Sequence, residues 1–223
     1  MIFPDLEYVS VEEYLLSQAA RHSVLHLGCA GDYLRYGPEA CLHYRIAQVC
    51  GELHGVEIDL ASLNTIKQWI PEDKNGRIKY YHADVQNLDF LKGKRFEVIL
   101  AASIIEHLSN PGMMLDAIAP LCMPETKVII VTPHVFGMLQ FIRVAISRKE
   151  AVNPQHTCWF SISTLSELCS RYGLESVRWL TGYGWRPESL KWTIQRKLGT
   201  TFFKTFPHLG GSLIGVLKLT KNI

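Results

Sequence analysis

Short apolar runs in this chain end repeatedly in small or acidic residues. "VLHL", Val24 to Leu27, runs into Gly28-Cys29-Ala30-Gly31-Asp32; "LHGVEID" ends with Glu57, Ile58 and Asp59; "RIKYYHAD" ends at Asp84, with Val85 next; "FEVILAAS" ends in Ala101-Ala102-Ser103. Open α/β sheets bind ligands outside the carboxyl ends of their strands, where the strand order reverses, so these residues are the ones to read for chemistry. Small side chains after the first run let a ligand approach the backbone. Glu57 is an acceptor suited to a ribose diol, Asp84 suits the amino group of adenine, and the N–H that follows it can donate to a ring nitrogen. The chain has neither G-x-G-x-x-G at this loop nor G-x-x-x-x-G-K-[ST], the patterns that cradle pyrophosphate and triphosphate. An adenosine without phosphate is the ligand that fits.

Plainer readings exist for each residue. Gly28 and Gly31 could serve only a tight turn, Glu57 could be a solvated strand end, and Asp84 could cap a turn. Asp59 reads as the cap of the following helix. His134 follows the fifth strand and His156 precedes the "WFS" that opens the last helix, so both flank the expected mouth. Imidazole titrates near about 6.5, and either ring could take a proton from a substrate hydroxyl. Each could equally order its own loop by hydrogen bonding, and His107 could simply pack at a helix start.

The elements that must position these residues follow from the apolar periodicity. Ser10 with Glu13 predicts a capped first helix faced by Val11, Leu15 and Ala19. Gly37-Pro38 opens a helix with Cys41, Leu42, Ile46 and Val49 inward. Leu63, Ile66 and Ile70 stripe the next, and Asn110-Pro111 starts one with Met114, Leu115 and Ile118 inward. "KVIIVTP" is a fifth strand. Strands and helices alternating at this spacing predict βαβ units and a mostly parallel sheet. Further on, a short helix through Leu165 and Cys169 is closed by Gly173, and "LESVRWL" and "SLIGVLKLT" read as a terminal hairpin on the sheet edge. No repeat or linker divides the chain, so residues 1–223 read as a single domain.

With 48% hydrophobic residues the chain can bury a large core, and a net charge of +2 gives none of the basic surplus that binding of nucleic acid requires. The first ten residues do not read as an export signal, and no apolar run is long enough to span a bilayer, so a cytoplasmic location is expected. Six cysteines without a C-x-x-C pair read as free thiols. The stretch "FGMLQFIRVAI", Phe136 to Ile146, ending in Arg148-Lys149, reads as a cap over the active site within 134–160; peripheral membrane contact through 136–149 is the alternative.

The blocks "VLHLGCAGD", "HGVEID", "HADVQNLDF", "FEVILAASIIEHLSNPGMML", "VIIVTPHVFG" and "HTCWFSISTLSELCSRYGLE" stand in an order that resembles the class I S-adenosylmethionine-dependent methyltransferases of the "EHL" group. The resemblance implies a Rossmann-like α/β fold, with a mostly parallel seven-stranded sheet, helices on both faces and the last strand antiparallel. It also implies S-adenosyl-L-methionine as cofactor. Gly28, Cys29 and Ala30 would lie under its methionine part, Glu57 would hold the ribose hydroxyls and Ile58 would pack on adenine. Asp84 and Val85 would read the adenine edge, Ala101 and Ala102 would lie near the sulfonium, and Ser103 and His107 would face the active site.

The chain departs from the pattern at His26, where an acid is usual, and at Ala30 and Asp32, where glycines are. Asp32 is therefore expected to supply the negative charge that His26 lacks. "DYLRYG" is expected to add a turn after the loop. The expected reaction is in-line methyl transfer to an oxygen or nitrogen of a small-molecule or glycan-like acceptor, with His156 or His134 as base and no metal. A non-catalytic cofactor-binding protein is the alternative.

Overall fold

Eight strands make one sheet in the computed structural model, which describes residues 4–149, 152–183 and 200–220, apart from the side chains of Asp32 and Tyr33. They are β1 (Glu7–Ser10), β2 (Ser23–Leu27), β3 (Glu52–Glu57), β4 (Ile78–His82), β5 (Phe96–Ala102), β6 (Cys122–Pro133), β7 (Leu174–Tyr183) and β8 (Ser212–Leu219). Their order across the sheet is β1-β7-β8-β6-β5-β2-β3-β4. Only β8 runs antiparallel, against both β6 and β7.

Two expectations change here. The sheet has an eighth strand, because Glu7–Ser10 pairs in parallel with Leu180–Tyr183. The β7–β8 pair is also not on an edge: β8 lies inside the sheet beside β6, and β1 covers the far side of β7.

The core lies on both faces of this sheet, and the strands show why. Successive residues of a strand point to opposite faces, and in β5 Val98, Ile99, Leu100 and Ala101 are all buried. Ile99 and Ala101 join one cluster, with Met114 and Leu115 of α4 (Pro111–Ile118) and Leu165 of α6 (Ile162–Ser170). Val98 and Leu100 join the other, with α1 (Val11–Ala19), α2 (Leu42–Val49) and α3 (Leu60–Trp69). Each such aliphatic side chain contributes about 1.5–3 kcal/mol by leaving water. Three layers result, and the central strands are apolar on both sides, as a parallel sheet covered by helices requires.

Local details depart from simple periodicity. Ser10 precedes α1, but its hydroxyl makes no capping bond, since its backbone is committed to the β1 pairing. The capping box forms instead at α6, between Ser161 and Thr164. The chain after Gly37 makes a short 3-10 turn, Pro38–Ala40, before α2, and α2 buries His43, Ile46 and Ala47 while Val49 faces out. "DYLRYG" does add a turn, a 3-10 helix over Asp32–Tyr36. All six cysteines are free thiols. Among the described residues no helix is long and apolar enough to cross a membrane.

Candidate functional site

The strand order reverses between β2 and β5: from β2 the chain adds strands to one side and from β5 to the other. The crevice at their carboxyl ends is where this fold accepts a ligand. Gly28 opens it with a φ of +64°, a left-handed conformation that strains any residue with a Cβ, and such a Cβ would stand 2.9 Å from the Ile104 side chain in the loop after β5. Bare backbone at this point is therefore a requirement of torsion, and a side chain there would also have to displace the end of Ile104.

Glu57, buried at the end of β3, ties the loop in place. One of its oxygens accepts the Ala30 N–H at 3.0 Å, and the other accepts the N–H groups of Ile58 at 2.9 Å and Asp59 at 3.0 Å. Cys29 N–H bonds the Val56 carbonyl at 3.1 Å. Cys29 and Ala30 are buried, while Ile58 beside them is 63% exposed and offers an apolar surface at the rim. Asp59 caps α3 by accepting the Ser62 N–H, as its position in the sequence suggests. Asp32 begins the 3-10 turn after the cradle; its side chain lies outside the described residues.

Beneath the cradle lies an arrangement that the sequence did not suggest. His26 on β2 and His43 on α2 are fully buried, with their Nδ1 atoms 3.0 Å apart. Two nitrogens can share one proton only if one ring donates and the other, necessarily neutral, accepts, and both rings are neutral when neither carries a second proton. Burial enforces this, lowering the His26 pKa to about 4 and that of His43 well below its ordinary value. Room for the pair comes from Gly55 on β3, where a Cβ would meet His43 at 2.8 Å and the Cys29 sulfur at 2.9 Å. The acid that is usual at position 26 is thus replaced by a neutral pair wedged under Cys29.

Asp84 after β4 accepts the Gln86 N–H at 2.9 Å, and the Gln86 side-chain carbonyl accepts the Asn110 N–H at 3.0 Å. This chain of bonds links the loop after β4 to the start of α4. Val85 is buried beside it. The Ala83 N–H bonds the Glu57 carbonyl at 3.0 Å, which sets the ends of β3 and β4 side by side.

The end of β5 is the chemically richest corner. Ala101 is buried and Ala102 half-buried. Ser103 has a φ of +55°, and its N–H bonds the Val131 carbonyl at 2.8 Å. A non-glycine residue held in the left-handed region costs about 1–3 kcal/mol and tends to mark functional turns. The 3-10 turn Ile105–His107 follows. Glu106 within it is 1% exposed, and its Oε2 has no hydrogen-bond partner among the described residues. Burial pushes its pKa up to about 7.

The rings of His107 and His156 meet edge to face at 4.5 Å. Side-chain donor atoms of Glu106, His107 and His156 all lie within 4.8 Å of one another. Thr157 fixes this meeting: its N–H bonds the Glu106 carbonyl at 2.8 Å and its hydroxyl donates to the Leu108 carbonyl at 2.6 Å. Glu106 was not singled out in the sequence. The available signal was an acid between Ile105 and Leu108, two residues that are both buried.

His134 stands apart from that cluster. It is buried, and its Nδ1 donates to the Gly210 carbonyl at 3.1 Å, since a carbonyl can only accept. Burial lowers its pKa, so the ring is a neutral tautomer whose Nε2 carries the lone pair and has no partner among the described residues. A bridge to Phe160, with the Val135 N–H on the Phe160 carbonyl at 3.1 Å, closes the root of the excursion between β6 and α6. Of the two imidazoles expected to act as base, His156 reaches the group at the end of β5, and His134 anchors the sheet end.

Comparison with known proteins adds to this geometry. Residues 9–178 match the family model described as a methyltransferase domain. No curated protein matches the sequence. Among solved structures, the CcbJ methyltransferase from Streptomyces caelestis superposes with a TM-score of 0.62 at 15% identity, covering 94% of this chain and 88% of that one. Magnesium protoporphyrin IX methyltransferase from Synechocystis PCC 6803, solved with bound SAH, gives 0.59 at 12% identity over 94% and 80%. The [4+2]-cyclase SpnF gives 0.60 at 12% identity over 95% and 80%. At such identities these likenesses speak for the fold, and the cyclase among them shows that the fold alone does not dictate the reaction.

Proposed function

The chain belongs to the class I S-adenosylmethionine-dependent methyltransferases, and from that premise we propose that it moves a methyl group onto an oxygen or nitrogen of a small-molecule or glycan-like acceptor at the crevice between β2 and β5. The observation that carries this reading is the convergence of a bare, glycine-opened loop and a buried carboxylate on one side with the Glu106, His107 and His156 group on the other.

The residues present suit the cofactor. Gly28 to Ala30 would lie along its methionine part, Glu57 keeps an acceptor site on the oxygen that binds only Ala30 N–H for a ribose hydroxyl, Ile58 offers an apolar face to adenine, and Asp84 with Val85 would read the adenine edge. Ala101, Ala102 and Ser103 would border the reacting centre. His26 and His43 bring no charge to the cofactor ammonium, which leaves that role to Asp32. When bound, the cofactor supplies a methyl carbon already activated by sulfonium. No further bond polarisation is then needed, and the protein's share of the work is alignment and removal of a proton.

His156 is the group we assign to take that proton from an acceptor hydroxyl. Glu106, packed against the two rings, stabilises the imidazolium once it forms, because a carboxylate that burial disfavours gains a counter-charge. His107 orients the His156 ring through their edge contact. His134, neutral and fixed to Gly210, holds the root of the excursion that delivers His156.

Calorimetry with S-adenosylmethionine and S-adenosylhomocysteine tests the cofactor half, and turnover against a panel of alcohols, phenols, sugars and amines tests the rest. Binding of both with methyl transfer to one acceptor class supports the reading. Binding without any methyl consumption over the whole panel favours a non-catalytic role.

A further inference from the structure

Helix α5 (Met138–Ser147) buries none of its residues, although most of them are apolar. Leu139 is 60% exposed, Phe141 75% and Ile146 79%. On a helical projection the apolar residues fill the circumference except for one narrow stripe, Gln140, Arg143 and Ser147, at spacings of three and four. Every residue from 141 to 149 is exposed.

The charge around this helix is predominantly positive. The chain as a whole carries 23 basic and 21 acidic residues, and between 136 and 150 Arg143, Arg148 and Lys149 stand against one acid, Glu150. A wide apolar arc bordered by a surplus of cations is the pattern of a helix that lies in the headgroup layer of an anionic bilayer. A second apolar element stands nearby. The Gly137 backbone packs against Gly210 and Gly211, just beyond residues 200–206, where Phe202 and Phe206 are exposed with their rings 5.1 Å apart.

The position of the helix connects it to the chemistry. The excursion leaves the sheet at His134 and returns at Phe160, and its inner limb carries His156 against His107 while its outer limb is α5. We infer that α5 and its flanking cations are a docking surface for an anionic lipid bilayer, and that the acceptor is borne on that membrane. The second clause rests on the methyl-transfer reading of the crevice; the first does not.

Co-sedimentation with phosphatidylcholine vesicles, with and without phosphatidylglycerol, tests the docking surface. The protein is expected to pellet with the anionic vesicles and to be released by salt. Phe141→Glu with Ile146→Glu abolishes pelleting. Arg143→Ala weakens it by about fivefold, as the loss of one cation near the surface predicts. The melting temperature of each variant checks folding and is expected to hold, since none of these side chains is buried.

Failure to pellet, or pelleting that the variants do not change, overturns the inference. So does a wild-type dimer, or a complex with an acidic protein, that Phe141→Glu dissolves while vesicles are ignored. Calorimetry with S-adenosylhomocysteine on the same preparations keeps the two readings apart: cofactor binding without vesicle binding sinks the docking surface alone, and vesicle binding without cofactor binding sinks the crevice alone.

Discussion

The loop after β2 and the excursion after β6 leave the same end of the sheet, and they are built on opposite terms. In the first, Cys29 and Ala30 are buried, Glu57 gathers three backbone N–H groups, and a neutral histidine pair fills the space beneath. In the second, the root is pinned by the His134 to Phe160 bridge and the tip exposes residue after residue. A common cofactor rewards a rigid cradle, because any looseness there weakens every binding event. Acceptors differ among such enzymes, and the part that meets them carries few constraints from the core.

The contrast can be broken or sharpened by substitution. Glu57→Ala should have the largest effect, lowering cofactor affinity about a thousandfold through the lost charge-assisted bonds and the freed loop. Calorimetry reads this directly, and retention of wild-type affinity would separate Glu57 from the ligand. In the same titration Asp32→Ala is expected to bind less tightly than wild type, and full retention would remove Asp32 as the substitute for an acid at position 26.

The histidine pair makes the cradle sensitive to acid. A ring whose pKa falls from its ordinary 6.5 to about 4 on folding resists protonation in the native state only. Stability is therefore complete above the unfolded value and is lost as pH falls from 6.5 towards 4, by about 3 kcal/mol for His26 alone. Urea midpoints followed across that range should flatten in His26→Leu with His43→Leu, and an equal slope in the double variant would contradict the assignment.

On the acceptor side, Glu106→Gln should lower kcat about a hundredfold with cofactor affinity unchanged. In the wild type, activity should rise with pH through an apparent pKa near 7, where the Glu106 carboxyl titrates, and this limb should move or vanish in the variant. The same variant should gain stability above that pH, since an amide replaces a carboxylate that burial disfavours. A variant with normal kcat and an unchanged pH profile would reduce Glu106 to a packing residue. Smallest of all, Phe141→Ser should change the unfolding free energy read from urea titration by no more than about 0.5 kcal/mol.

Strand ends were legible because they combine two strong signals: an apolar run buried on both faces, as in Val98 to Ala101, and small or acidic residues that must follow it. β1 was not legible, since four residues of which none is fully buried carry no periodicity that exceeds noise. The position of β8 depends on pairing between distant segments, which composition does not encode. His43 was hidden because a polar residue on a helix reads as solvated until a partner appears, and its partner His26 is 17 residues away on a different element. Glu106 escaped for a similar reason: the side chain that gives it meaning, His156, arrives from the far limb of the excursion.

One consequence of the closed root reaches beyond this protein. Because residues 134–135 and 160 meet, everything between them begins and ends at nearly one point in space. Outside the inner limb, where His156 and Thr157 meet the end of β5, a stretch held that way behaves like an interchangeable cassette: replaced by another of different length or character, it would leave the strands on either side in register. New substrate preferences could then be acquired by swapping the insert while the nucleoside-binding framework stays as it is.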